Sequence, residues 1–161
     1  MTSTQPANLT PGGASELRAA GLRVTQSRLA VLAALGGMPH SGADAVYGRV
    51  SKSLPNTSRQ AVYNVLGDLA QAGLVRRIEP AGQPGLFELR VGDNHHHVIC
   101  TNCGVVADVD CTIGHAPCLT PDRDGGFVIT EAEVTFWGVC GECQAKPVEE
   151  ALSNFISTKE K

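Results

Sequence analysis

From Leu29 to Leu69 the apolar residues recur at the three- and four-residue intervals of helices that bury one face. Beyond Gly73 they gather in short runs of strand character. Leu29, Leu32, Ala33 and Leu35 mark one helix, capped by Thr25 and stopped at Gly36-Gly37. A further helix, preceded by Ser41 and broken by Pro55, turns Ala45, Val46 and Val50 inward. In SRQAVYNVLGDLAQAG, opened by Thr57 or Ser58, one face carries Val62, Val65, Leu66 and Leu69, and Gly73 closes the helix. Ahead of these, Ser15 is placed to cap a short helix through Ala20 that Gly21 ends. LVRRIEP and LFELRV, joined by the Gly/Pro turn AGQPG, predict a two-stranded hairpin. Helices followed by such a hairpin predict a winged helix-turn-helix, with the fourth helix in the recognition position.

After Val91 the pattern is strand-like throughout: HHVIC, VVADVD, GFVIT and EVTFWGVC are expected as short strands. A last helix is expected from Pro147 to about Ile156, followed by a polar tail. The expected fold class is therefore α+β, with a flexible tail over 1–14, a winged-helix domain over 15–90 and a small α/β domain over 91–161. Charge divides at the same place. Residues 1–90 carry nine Lys/Arg against five Asp/Glu, and residues 91–161 carry four against eleven. A basic front half suits a polyanion and an acidic back half suits cations. The 42% hydrophobic content supports a core. No apolar run reaches the ~18 residues of a membrane span. The start, MTSTQPANLTPGGAS, lacks a secretory pattern, so a cytoplasmic setting is expected.

Chemistry concentrates in GDNHHHVICTNCG, residues 92–104. Cys100-x-x-Cys103 and Cys140-x-x-Cys143 are matched pairs whose two-residue gaps let both thiolates of each turn toward one ion. Four thiolates suit a structural Zn2+ with no open position; disulfides and an iron–sulfur cluster are the rival uses of the same residues. Cys111 and Cys118 are left over, as inert thiols, a redox pair or ligands of a second soft ion. In a strand His95 and His97 point to one face and His96 to the other. Glu88 on the preceding strand and Asp108 on the following one are carboxylates able to complete an N/O site for Fe2+, Mn2+ or Zn2+, against the alternative of solvated histidines.

The motifs LRVTQSRLAVL, PHSGADAVY, SRQAVYNVLGDLAQAGLV, FELRVGDNHHHVICTNCG and WGVCGEC together resemble the ferric uptake regulator (Fur) family from about Leu17 to Cys143. VGDNHHHVIC, DVDC and EAEV…WG resemble most the FurA-type branch that regulates catalase or catalase-peroxidase genes. The resemblance implies a homodimeric, metal-dependent DNA-binding repressor that reads an AT-rich inverted repeat and dimerises through its C-terminal domain. It implies a regulatory Fe2+ or Mn2+ held by His40, Glu88, His95, His97 and Asp108, with His40 assigned by resemblance alone. The aspartate at position 108 tilts the implied signal toward peroxide, whereas iron-level sensors of the family tend to carry glutamate there. A further metal site common in iron sensors looks incomplete, because its positions hold Asn94, His96, His115 and Ala132.

On the nucleic-acid side, Arg23 and Arg28 are expected on phosphates, and Tyr63 on a thymine methyl or the backbone, with core packing as its alternative. Arg59, Gln60 and Asn64 are expected within reach of base edges. A zinc-dependent hydrolase would need an open ligand position, a base and a pocket, and no motif supplies them. A zinc-stabilised interaction module is the remaining alternative.

Overall fold

The computed structural model describes residues 13–113, 118–119, 121–130 and 132–145. The chain forms two compact units that divide between Asp93 and Asn94. The expected N-terminal tail up to residue 12, His115 and the expected closing helix over 147–156 lie outside the described residues.

The first unit contains α1 (Ala14–Ala19), α2 (Gln26–Gly37), β1 (Ser41–Gly42), α3 (Ala43–Ser53), α4 (Arg59–Gln71), β2 (Arg76–Ile78) and β3 (Leu86–Glu88). The helix ends follow their local chemistry. Thr25 Oγ1 accepts the Arg28 N–H at 3.3 Å, and Ser58 Oγ accepts the Ala61 N–H at 3.1 Å, satisfying orphan donors of α2 and α4. Gly73, at φ +69°, adopts the left-handed conformation that turns the chain out of α4. The Leu74 N–H then returns to the Leu69 carbonyl at 3.0 Å. At α1 the cap is Gly13, not Ser15, and no side chain caps it.

The three long helices pack around one core with Leu17, Leu32, Leu35, Val46, Leu66 and Leu69, each excluded from solvent. Each buried leucine there contributes about 1.5–3 kcal/mol of transfer free energy. Two residues expected inside are exposed. Ala45 gives way to Ala43, and Ala33 to Val31 and Ala34, because the buried stripe runs through 43, 46 and 50 and through 31, 32, 34 and 35. The expected hairpin gains a third strand. Ser41 pairs with Phe87 and Gly42 with Leu86, so the antiparallel sheet has the order β1-β3-β2.

The second unit contains β4 (His95–Cys100), β5 (Val106–Asp110), β6 (Thr135–Gly138) and the short α5 (Gly141–Gln144). Its sheet has the order β5-β4-β6, antiparallel between β4 and β5 and parallel between β4 and β6. GFVIT does not form a strand: Phe127 and Val128 are 74% and 91% exposed, with no neighbouring strand among the described residues. Its β-branched and aromatic content expresses a preference that a strand satisfies only with a pairing partner. No helix among the described residues is long and apolar enough to cross a membrane.

Candidate metal centres and nucleic-acid interface

Cys100 ends β4 and Cys103 lies in the turn after it, while Cys140 is the N-cap residue of α5 and Cys143 lies within it; β4 runs parallel to β6, so these ends coincide. Each of Cys100, Cys103, Cys140 and Cys143 puts its sulfur within 4.8 Å of the other three. The Cys103 and Cys140 sulfurs are 3.7 Å apart. Thiolates at tetrahedral corners ~2.3 Å from zinc stand about 3.8 Å apart, so the spacing fits that ion. None of the six cysteines is in a disulfide. The Cys140 N–H donates to Cys100 Sγ at 3.3 Å. That N–H, followed by the one of Cys103, holds the Cys100 thiol at about 6 against an ordinary 9.0. Hydrogen bonds with Cys140 and then Cys103 push the Cys143 thiol up to about 12. Four crowded sulfurs resist sharing negative charge until a cation joins them.

The β4–β5 register sorts the histidines. His97 lies opposite Asp108 and His95 opposite Asp110. Strand alternation puts His95, His97 and Asp108 on one face. Asp108 Oδ1 is 4.0 Å from His95 Nε2 and 3.8 Å from His97 Nε2, and the two imidazole centroids are 4.9 Å apart. His96 points to the other face, where its Nε2 is 3.3 Å from Cys118 Sγ. Sequence reasoning did not bring these two together. The signal was available in the period of two that groups His96 with Val109 and, one step past β5, with Cys111.

In the first unit His40 Nε2 is 2.9 Å from Glu88 Oε2. The pairing of Ser41 with Phe87, extended by one step, sets residue 40 opposite residue 88. His40 has φ +54°, the left-handed region that non-glycine residues seldom adopt. Such conformations persist where the surroundings over-determine them and cluster at functional positions. Periodicity gave no hint of this pair, because a two-residue strand carries no readable alternation.

The outward stripe of α4 carries Arg59, Gln60, Tyr63 and Asn64, all exposed. Tyr63 is 47% exposed, which places its ring outside the core. The Gln60 amide donates to Asn64 Oδ1 at 2.8 Å. The Arg59 guanidinium pairs with Asp44 and lies 5.0 Å over the Tyr47 ring. Arg23 is exposed. Arg28 is engaged within the unit: its guanidinium donates to Asp68 Oδ2 at 2.7 Å and to the Arg23 carbonyl at 2.8 Å.

This combination of a basic helical unit and a cysteine- and histidine-lined sheet unit has close counterparts. The profile of the ferric uptake regulator family matches residues 19–136. The chain belongs to the ferric uptake regulator family. The transcriptional regulator FurA of Mycobacterium tuberculosis is 53% identical over 133 residues, covering 83% of this chain and 90% of that protein. The peroxide-responsive repressor PerR of Staphylococcus aureus is 31% identical over 133 residues, covering 82% of this chain and 89% of that protein. Among solved structures, the Pseudomonas aeruginosa ferric uptake regulator with manganese superposes with a TM-score of 0.61 at 28% identity, covering 81% of this chain and 99% of that one. The Fur family comprises metal-responsive transcription regulators, not enzymes, so the hydrolase alternative falls away.

Proposed function

We propose that the chain is a homodimeric, metal-dependent transcriptional repressor that reads an AT-rich inverted repeat and answers to peroxide through a regulatory Fe2+ or Mn2+ site. The observation that carries this reading is the sorting of the hard donors. His40 and Glu88 meet in the first unit, and His95, His97 and Asp108 converge in the second. Two donors or three leave a hard or borderline cation short of ligands, whereas all five make a nearly complete N/O set. The ligands then belong to both units, and holding them together fixes the spacing of the DNA-reading units in the dimer. A preference of a few kcal/mol for that arrangement shifts occupancy strongly.

In this reading the first unit is a winged helix, with α4 presenting Arg59, Gln60, Tyr63 and Asn64 to the major groove and Arg23 to a phosphate. Arg28 instead ties α2 to α4 through Asp68. Cys100, Cys103, Cys140 and Cys143 hold a structural Zn2+, whose closed thiolate shell leaves no position for catalysis. The exposed apolar residues Phe127, Val128, Phe136 and Trp137 supply the surface that a second copy covers. Bound Fe2+ would supply one-electron chemistry toward peroxide beside His40 and His95. Asp108 and the resemblance to a peroxide-responsive repressor favour that signal. A second reading, response to iron level, is supported by membership of the ferric uptake regulator family itself.

Retardation of AT-rich inverted-repeat DNA that requires Fe2+ or Mn2+ and is lost on chelation supports the repressor; retardation indifferent to metal contradicts it. Peroxide treatment of the Fe2+ form followed by peptide mass spectrometry tests the signal. Added oxygen on the His40 or His95 peptide supports peroxide sensing. Loss of DNA binding with both peptides unmodified excludes histidine oxidation as the route and points to the thiols.

A further inference from the structure

The face of the β4–β5 ladder opposite Asp108 carries a second cluster of donors, of a different kind. His96 pairs with Val109, and Cys111, two residues beyond Val109 and the first past β5, continues the alternation on that face. Cys118 brings its thiol back over that face, 3.3 Å from His96 Nε2. One donor atom from each of His96, Cys111 and Cys118 lies within 4.8 Å of the other two. The imidazole is buried and packs edge-on against Phe136, with centroids 6.3 Å apart, while both thiols are half-buried. A single sheet thus separates a hard N/O set on one face from a soft N/S set on the other.

We propose that His96, Cys111 and Cys118 form a second zinc site, distinct from the four-cysteine site and from the regulatory donors. Zinc binds imidazole at ~2.0–2.1 Å and thiolate at ~2.3 Å, which in tetrahedral geometry puts nitrogen and sulfur about 3.5 Å apart. The observed 3.3 Å between Cys118 Sγ and His96 Nε2 is within a few tenths of that spacing. One imidazole and two thiolates favour a thiophilic ion over Fe2+ or Mn2+. With three protein ligands the fourth position is open to water, so this zinc is the more exchangeable of the two thiolate-held ions. Each thiol gives up its proton when zinc binds, and no electron is transferred.

The test uses the full-length protein, kept reduced and as purified, so that the four-cysteine site serves as an internal control. Loosely held metal is removed with a carboxylate chelator, Zn2+ is titrated back, and a brief pulse of N-ethylmaleimide is mapped by peptide mass spectrometry. Alkylation of Cys111 and Cys118 is expected to slow together, with one midpoint, while Cys100, Cys103, Cys140 and Cys143 stay protected throughout. Cys118→Ser is expected to abolish the zinc-dependent protection of Cys111. His96→Gln is expected to raise the midpoint by about tenfold or more, the size seen when even the outer partners of a metal site are disturbed. Labelling of Cys111 and Cys118 that ignores zinc overturns the proposal. So does protection of Cys111 that survives Cys118→Ser with the four-cysteine site intact.

Discussion

Arg28 distinguishes a structural tie from a DNA contact, and Arg28→Ala separates the two. Its side chain is 17% exposed and donates at 2.7 Å to Asp68, which is 49% exposed. Solvent screening at Asp68 limits the ion pair to about 0.5–1 kcal/mol. The hydrogen bond to the Arg23 carbonyl, at 2.8 Å, adds roughly another 0.5–1 kcal/mol. Removing both should cost about 1–2 kcal/mol, and each kcal/mol lowers the midpoint of a unit this size by roughly 4–8 °C. Circular dichroism melts of the wild type, Arg28→Ala, Asp68→Ala and the double variant read the coupling directly. The DNA readout is independent. A phosphate contact contributes a slope of about −0.9 in log affinity against log salt, or about −1.8 for the two copies in a dimer. Arg28→Ala should leave that slope unchanged. Arg59→Ala removes a charge that is exposed, like that of its partner Asp44, so it should leave the melt unmoved. An unchanged melt with a flattened salt slope for Arg28→Ala would show that the guanidinium leaves Asp68 for a phosphate, and the tie would be wrong.

Other expectations are equally specific. Leu66→Ala empties a core position with no solvent exposure and should destabilise the first unit by about 2–5 kcal/mol, read by denaturant unfolding; a loss under 1 kcal/mol would contradict the packing. Tyr63→Ala should weaken DNA binding while leaving stability nearly unchanged, because its ring lies outside the core; a large loss of stability would reverse that assignment. Zinc binds thiolates, so every thiol still protonated in the metal-free protein makes affinity fall as pH falls. Cys143, at about 12, imposes this across the neutral range, whereas Cys100, at about 6, adds to it only on acidification below that value. The slope of log zinc affinity against pH should therefore steepen by about one below pH 6, measured by chelator competition; a constant slope would contradict the assigned proton load.

What the sequence disclosed was whatever had a local cause. Thr25 and Ser58 cap helices because their hydroxyls reach the N–H three residues on, and Gly73 turns out of α4 because it tolerates positive φ. The paired cysteine spacing and the period of two at His95 and His97 were equally legible. The inward residues of α3 were misjudged by a fraction of a turn, since Ala43 and Ala45 differ in little but helical phase. His40 is set opposite Glu88 by a two-residue strand and a left-handed backbone, neither of which leaves a periodic trace, and only family resemblance reached it. Cys118 meets His96 across 22 residues of chain, a closure that spacing alone does not encode. GFVIT has strand composition without a strand among the described residues, because composition states a preference and pairing decides it.

The central claim is that donors from both units share one ion and that DNA binding depends on it. The most direct measurement compares wild type and His95→Ala for retention of AT-rich inverted-repeat DNA across a titration of Mn2+, which avoids oxidation, with zinc content counted in both. The expected result is metal-dependent retention by the wild type, and loss of most of that response in His95→Ala with its four-cysteine zinc intact. Equal retention by the two proteins at every Mn2+ concentration would contradict the claim.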